Sequence, residues 1–143
     1  MIVADASVLV DLLIDRPAAL RLIEDAFTSD GTDTLHAPEL IRIESAQALR
    51  LLVRSQQITN YQAAIALERM SSGRLVDYSA IPLMERIWEL RHNLTAYDAS
   101  YLALAERIDD SLLLTGDGGL ADEARKSLGT DRVWLMSAAT SAE

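Results

Sequence analysis

The chain has 143 residues, half of them hydrophobic and 24% charged, so its composition is that of a folded domain and excludes a wholly disordered chain. It has no cysteine, which excludes disulfides, thiolate metal sites and cysteine nucleophiles. Its formal net charge of −9 weighs against binding to a phosphate backbone, unless some of the acids hold divalent cations that meet the phosphates.

Apolar periodicity predicts strands and helices that alternate along the chain. The predicted elements are a strand over 2–4, helices over 8–13 and 17–27, a strand over 35–36, helices over 38–54 (opened by Pro38) and 59–71, a strand over 75–78, helices over 82–91 and 96–108, a strand over 111–114, a helix from about 120, and a strand over 132–135. This alternation predicts an α/β fold, with a central parallel sheet of four to five strands flanked by helices on both faces.

The domain boundaries and the location of the protein are also predicted. One domain is expected over residues 1–136, followed by a flexible C-terminal tail over 137–143. The start of the chain reaches Asp5 too early for a signal peptide, and no apolar run approaches the roughly 18 residues of a membrane span. We therefore expect a cytoplasmic protein.

Two acids follow predicted strands directly. Asp5 comes after the first strand, and Asp117 comes after the strand over 111–114. Ligands of parallel sheets bind beyond the carboxyl ends of the strands, so both acids are expected at one edge of the sheet. Either acid could instead cap the helix that follows it, and the sequence leaves both interpretations open.

Two further acids lie on helical faces that are otherwise apolar. Glu44 has Leu40, Ile41, Ala48 and Leu51 within about 60° of it at 100° per residue. Burial of a carboxylate without a partner costs on the order of several kcal/mol. A buried Glu44 would therefore need either a function or a basic partner from another element.

Asp98 shares its helical face with Tyr101, Leu102 and Ala105. It also lies three residues after Thr95, which is the spacing of a capping box. That motif prefers Glu or Gln at the position of Asp98, and the two interpretations remain balanced.

The four acids together favour a cation site. Two carboxylates 4 Å apart repel by on the order of 4 kcal/mol at an effective dielectric near 20, so a cluster of four needs protons or cations. Oxygen ligands alone indicate Mg²⁺ or Mn²⁺ rather than zinc. The two histidines, His36 and His92, fall in no ligand pattern and are interpreted as structural or surface residues.

Four stretches of the sequence, in order and with matching spacing, resemble PIN domains and especially the VapC-type toxins. They are residues 3–13, Pro38 with Glu44 and residues 48–50, residues 97–106, and residues 113–117 with Leu120. The resemblance runs from residue 2 to about residue 135. One departure is the pair Gly118 and Gly119, where some members of the family carry a further acid or amide that would hold a second metal.

The resemblance implies a Mg²⁺- or Mn²⁺-dependent endoribonuclease, the toxin of a toxin–antitoxin pair, that hydrolyses RNA with an activated water. It implies an RNA substrate, a small cognate antitoxin and a homodimer as partners. By motif position it implies a set of metal-binding and catalytic acids: Asp5, Glu44, Asp98 and Asp117. It also implies that Ser7 and Thr115 are supporting polar residues.

Two rival functions and two surface hypotheses accompany this interpretation. The protein could be an inactive PIN-like module that binds RNA or a partner, or a phosphatase with an aspartyl nucleophile, although Ser7 stands where such enzymes carry a second acid. A basic rim for RNA is possible at Arg42, Arg50, Arg54, Arg69 and Arg74. A dimer or antitoxin surface is possible at Leu52, Val53, Ile65 and Leu67, and helix packing is the alternative explanation.

Overall fold

A computed structural model describes residues 1–137, and these form an α/β fold around one five-stranded sheet. All neighbouring strands are parallel, in the order β3-β2-β1-β4-β5. The strands are β1 (Ile2–Ala4), β2 (Leu35–Pro38), β3 (Leu75–Tyr78), β4 (Leu112–Thr115) and β5 (Val133–Leu135). β1 is central and wholly buried, which explains why its sequence is a continuous apolar run rather than an alternating one.

Seven α-helices connect the strands of the described part. They are α1 (Ala6–Leu13), α2 (Pro17–Asp30), α3 (Ile41–Arg54), α4 (Asn60–Ser72), α5 (Met84–Glu89), α6 (Ala96–Arg107) and α7 (Gly118–Leu128). The chain crosses the sheet in one direction from β1 to β3 and in the other from β4 to β5. Right-handed connections therefore place α1–α4 on one face and α5–α7 on the other. The packing agrees, since α1 contacts α2, α3 and α4, while α6 contacts α5 and α7.

The core lies between the sheet and these two helical layers. Its largest wholly buried side chains include Ile2, Leu102, Leu113 and Leu114, and α6 is buried along most of its length. Among residues 1–137, no helix is both long enough and apolar enough to cross a membrane.

The predicted α/β fold and its parallel sheet are confirmed, and two predicted boundaries are wrong. Pro38 ends β2, where it is paired with Tyr78, and α3 begins only at Ile41. Proline has no N–H to donate, so the end of a strand tolerates it as well as the start of a helix does. The helix predicted over 82–91 is instead a 3-10 turn at Ile81–Leu83 followed by α5. Residues 138–143 of the predicted tail lie outside the described residues.

Candidate active site

The candidate site lies where the strand order reverses, beyond the carboxyl ends of β1 and β4. These strands are neighbours, with Ala4 paired to Leu114, so the residues that follow them emerge side by side. Asp5 follows β1, and Asp117 comes two residues after the end of β4. This is the position at which open α/β sheets bind ligands.

Asp5 is 4% exposed and its carboxylate is held by three internal donors. Oδ1 accepts hydrogen bonds from the Ser7 hydroxyl at 2.6 Å and from the backbone N–H of Val8 at 3.1 Å. Oδ2 accepts a hydrogen bond from the Thr115 hydroxyl. Asp5 is therefore the N-cap of α1, and it also lies with Asp117 at the carboxyl edge of the sheet. The two interpretations of Asp5, as a helix cap and as a site residue, are thus compatible.

The two hydroxyls that bind Asp5 also fix the turn between β4 and α7. The Ser7 hydroxyl accepts a hydrogen bond from the N–H of Gly116 at 2.9 Å, and that of Thr115 accepts one from the N–H of Asp117 at 2.9 Å. Each hydroxyl thus links Asp5 to the turn that carries Asp117. Asp117 in turn caps α7, because its Oδ1 accepts from the N–H of Leu120 at 2.8 Å.

Glu44 reaches the site from α3 and is half-buried. Its Oε1 accepts a hydrogen bond from the buried Tyr101 hydroxyl at 2.7 Å. The buried stripe of α3 is centred on Ser45, with Glu44 at its border, so the predicted central position of Glu44 needs correction. The ion pair considered from the sequence is absent from residues 1–137, where no Lys or Arg lies within 4 Å of the Glu44 carboxylate.

Tyr101 is a site residue that the sequence did not identify. Its position three residues after Asp98 on one helical face was visible, but its bond to a glutamate 57 residues earlier was not. Burial and the neighbouring Glu44 carboxylate raise the pKa of Tyr101 far above its ordinary value, so the hydroxyl stays protonated and donates.

Asp98 lies in the first turn of α6, on the side of the three other acids. Its N–H donates to the Thr95 hydroxyl at 3.2 Å, but in the described part of the chain its carboxylate does not return a bond to the Thr95 backbone. The capping box is therefore half formed, and the Asp98 carboxylate has no internal hydrogen-bond donor within residues 1–137. It is half-buried and free to bind another group.

The electrostatics show that the four carboxylates converge. Burial, followed by the charges of Asp117, Asp5 and Glu44 in that order, raises the pKa of Asp98 to about 6. Burial also raises the pKa of Asp5 and of Glu44. The charge of Asp117 adds to the rise at Asp5, and the charge of Asp5 adds to the rise at Glu44. Among residues 1–137 none of the four forms an ion pair, so no basic side chain offsets the repulsion between them.

A divalent cation fits the chemistry of this donor set, because the site offers carboxylate and hydroxyl oxygens without nitrogen or sulfur. Within the described ranges, however, no three acidic or histidine side chains are grouped closely enough to hold one ion as they stand. His36 contributes nothing here, since its Nδ1 is 2.8 Å from the Tyr78 hydroxyl, and His92 is an exposed residue between α5 and α6.

Comparison with known proteins supports the resemblance that the motifs indicated. The PIN domain family matches residues 2–126. The chain belongs to the PIN-domain family. Ribonuclease VapC9 of Mycobacterium tuberculosis is 38% identical over 122 residues, which cover 85% of this chain and 90% of the relative. Ribonuclease VapC1 of the same species is 39% identical over 122 residues (83% and 87%), and Ribonuclease VapC12 is 31% identical over 121 residues (85% and 90%).

A groove extends from the acids of this PIN domain between α1 and α3, with a volume of about 670 Å³. We call it the α1–α3 groove. Its wall includes two residues of the site, Ser7 and Glu44, at the end where both helices leave the sheet. Its other lining residues are Ala6, Val10, Asp11, Arg16, Ala48, Leu51, Leu52, Ser55 and Gln57.

Three of the five arginines of the basic rim suggested by the sequence form ion pairs within the fold. Arg42, Arg69 and Arg74 are paired with Asp77, Asp15 and Asp33, respectively. Arg42 also donates to the Met70 carbonyl, and Arg69 to the Leu13 carbonyl, so both fasten secondary-structure elements together.

The suggested apolar contact surface is also partly used within the fold. Leu52 and Val53 are half-buried against the core, whereas Leu67 is exposed. Another set of exposed apolar side chains, missed from the sequence, is Ile81, Met84 and Trp88, which recur at helical spacing and which we call the exposed stripe.

Proposed function

We propose that this PIN-domain protein is a divalent-metal-dependent endoribonuclease and the toxin component of a toxin–antitoxin pair. The observation that carries the proposal is the convergence of four carboxylates, from Asp5, Glu44, Asp98 and Asp117, at the switch point of a parallel sheet. The names of its relatives, which are ribonucleases of the VapC type, give the reaction and the substrate class.

The chain's own residues would divide the work as follows. Asp5, Glu44, Asp98 and Asp117 would hold the cation, and Ser7 and Thr115 would keep Asp5 and the β4–α7 turn in place. A Mg²⁺ or Mn²⁺ ion held there would supply Lewis acidity, which would make water more acidic and offset charge on the phosphoryl transition state. The Asp98 carboxylate, with no internal donor, is the group best placed to exchange a proton.

The test is cleavage of a mixed, structured RNA pool by the wild type and by Asp98→Asn, with Mg²⁺, Mn²⁺ or EDTA. Metal-dependent cleavage by the wild type alone is expected, with a loss of at least about a hundredfold in the variant, on the order of the contribution of one catalytic acid or base. Unchanged thermal unfolding of the variant is the control for folding. Full activity of the variant would remove Asp98 from the site.

Two other results would redirect the proposal. Water rather than the ribose hydroxyl is proposed as the nucleophile, so the products should carry 5′-phosphate and 3′-hydroxyl ends, and 2′,3′-cyclic phosphates would contradict this. RNA that binds in Mn²⁺ without being cut would favour the alternative, an inactive PIN-like module that binds RNA or a partner.

The proposed partners follow from the same function. We expect a small cognate antitoxin, a cytoplasmic location and a homodimer. The exposed stripe of Ile81, Met84 and Trp88 supports a protein contact, because apolar side chains that are exposed on one face mark interaction surfaces. Sedimentation of the isolated chain as a monomer would remove the dimer from the proposal.

A further inference from the structure

The α1–α3 groove continues away from the carboxylates and is longer than the space that the scissile phosphate alone would occupy. α1 and α3 both begin at the carboxyl edge of the sheet, so the groove runs from Ser7 and Glu44 toward the far ends of both helices. From Glu44 to Ser55 the helix α3 covers about 16 Å at 1.5 Å per residue. This length exceeds that of one phosphate group and its ribose.

One ion pair is built into the wall of this groove. Arg16 Nη1 donates to Asp11 Oδ1 at 3.2 Å, and the Arg16 backbone N–H donates to the Asp11 carbonyl at 2.9 Å. The Arg16 side chain, which follows α1, is thereby folded back over the last turn of that helix. Burial raises the pKa of Asp11, while the Arg16 charge lowers it, as expected for a pair in a partly enclosed wall.

Arg16 keeps hydrogen-bonding capacity in the groove. A guanidinium has five N–H donors, and in the described part of the chain Asp11 is the one acceptor of the Arg16 side chain. Its side chain is 37% exposed, against 22% for Asp11. Arg16 is also the one basic residue among the described residues that line the groove.

The position of Arg16 relative to the acids suits a phosphodiester strand. Asp11 lies four residues after Ser7, which is one helical turn or about 6 Å along α1. A strand with its scissile phosphate at the acids would therefore bring an adjacent phosphate to Arg16. The opposite wall, formed by Ala48, Leu51 and Leu52, is aliphatic, and Leu51 is 52% exposed, so it offers a surface for a base or a ribose.

We propose that the α1–α3 groove receives single-stranded RNA on one side of the scissile bond, and that Arg16, oriented by Asp11, contacts the phosphodiester next to the one that is cleaved. This inference rests on the proposed function, because it extends the substrate of the same site. Arg16 would then supply a positive charge beside the path of the RNA in a protein whose net charge is −9.

The first experiment measures KM and kcat on one single-stranded RNA oligonucleotide that the wild type cleaves at a mapped position in Mg²⁺ or Mn²⁺. Arg16→Ala should raise KM about tenfold, the effect of losing one charged hydrogen bond, and change kcat by less than about twofold. Arg16→Lys should recover part of the loss. The matched control is Arg21→Ala, which removes an exposed cation of α2 that does not line the groove, and it should match the wild type.

The second experiment replaces single phosphodiesters of that oligonucleotide by neutral methylphosphonates. At one linkage adjacent to the cleaved bond, the neutral group should raise KM for the wild type but add nothing to the effect of Arg16→Ala. If every linkage affects both proteins alike, or if Arg16→Ala retains the wild-type KM, the inference is overturned while the ribonuclease remains. Absence of cleavage by the wild type would instead remove the proposed function and this inference together.

Discussion

Asp98 differs from the other three carboxylates in that no internal group of the described structure donates to it. Three donors hold Asp5, Tyr101 holds Glu44, and the N–H of Leu120 holds Asp117. A carboxylate that accepts no hydrogen bond and faces three like charges is unstable in its ionised form. The raised pKa of Asp98 is thus a consequence of the arrangement that makes the residue available for chemistry.

This arrangement predicts a pH dependence of stability for the metal-free protein. The pKa of Asp98 is about 6 in the folded state, against 3.8 as its ordinary value, so between these limits the folded state binds more protons than the unfolded state. The free energy of unfolding should therefore fall as the pH rises through this window, and Asp98→Asn should lack that component. Thermal unfolding in EDTA between about pH 4 and pH 7 would measure the difference, and parallel curves for the two proteins would contradict the prediction.

The element that holds the site together is the turn between β4 and α7. Gly116 lies in this turn, where an added Cβ would come within 2.9 Å of Ser7 Oγ and 3.0 Å of Met136 Cε. The Ser7 hydroxyl cannot move freely, because it bonds both Asp5 and the Gly116 N–H. The position of the Asp5 carboxylate therefore depends on the absence of a side chain at Gly116.

Gly116→Ala is accordingly expected to disturb the site by displacing Ser7. It should lower the free energy of unfolding by about 1 kcal/mol or more, as overpacking does, and lower RNA cleavage at least about tenfold. Chemical denaturation and initial cleavage rates would measure the two effects. The control is Gly118→Ala, where an added Cβ meets nothing within 4 Å, so full activity is expected. Equal behaviour of the two variants would show that the Ser7 contact is unimportant.

At the scale of the whole molecule, the fold brings acids from four elements to one edge of a sheet in a chain that is already negative. Asp5 follows β1, Glu44 lies on α3, Asp98 lies on α6, and Asp117 follows β4. Their repulsion destabilises the folded state, and it is relieved in the unfolded chain, where the four residues are far apart. A cation bound at the site would remove this cost in the folded state alone.

Divalent metal should therefore stabilise the protein. Mn²⁺ at a hundred times its dissociation constant is expected to add about 2.7 kcal/mol to the free energy of unfolding, and EDTA should reverse the effect. Asp98→Asn should reduce the gain, whereas Asp109→Asn, an exposed acid just before β4 at the opposite edge of the sheet, should not. Thermal unfolding during a Mn²⁺ titration would test this, and an unchanged midpoint for the wild type would contradict it.

The sequence by itself determined the order of strands and helices along the chain and the parallel sheet, and it singled out the four acids that we propose as the site. Apolar periodicity and the position of an acid after a strand are local properties, so they are readable along the chain. Pro38 marks the limit of such reading, because a proline suits both the end of a strand and the start of a helix.

The tertiary structure alone decided which side chains meet. The bond between Tyr101 and Glu44 spans 57 residues, and that between Thr115 and Asp5 spans 110. Such contacts depend on how helices pack over the sheet, which no local pattern encodes. The same holds for the arginines: packing gave Arg42 a partner on β3 and left Arg16 facing a groove, although both are ordinary basic residues in the sequence.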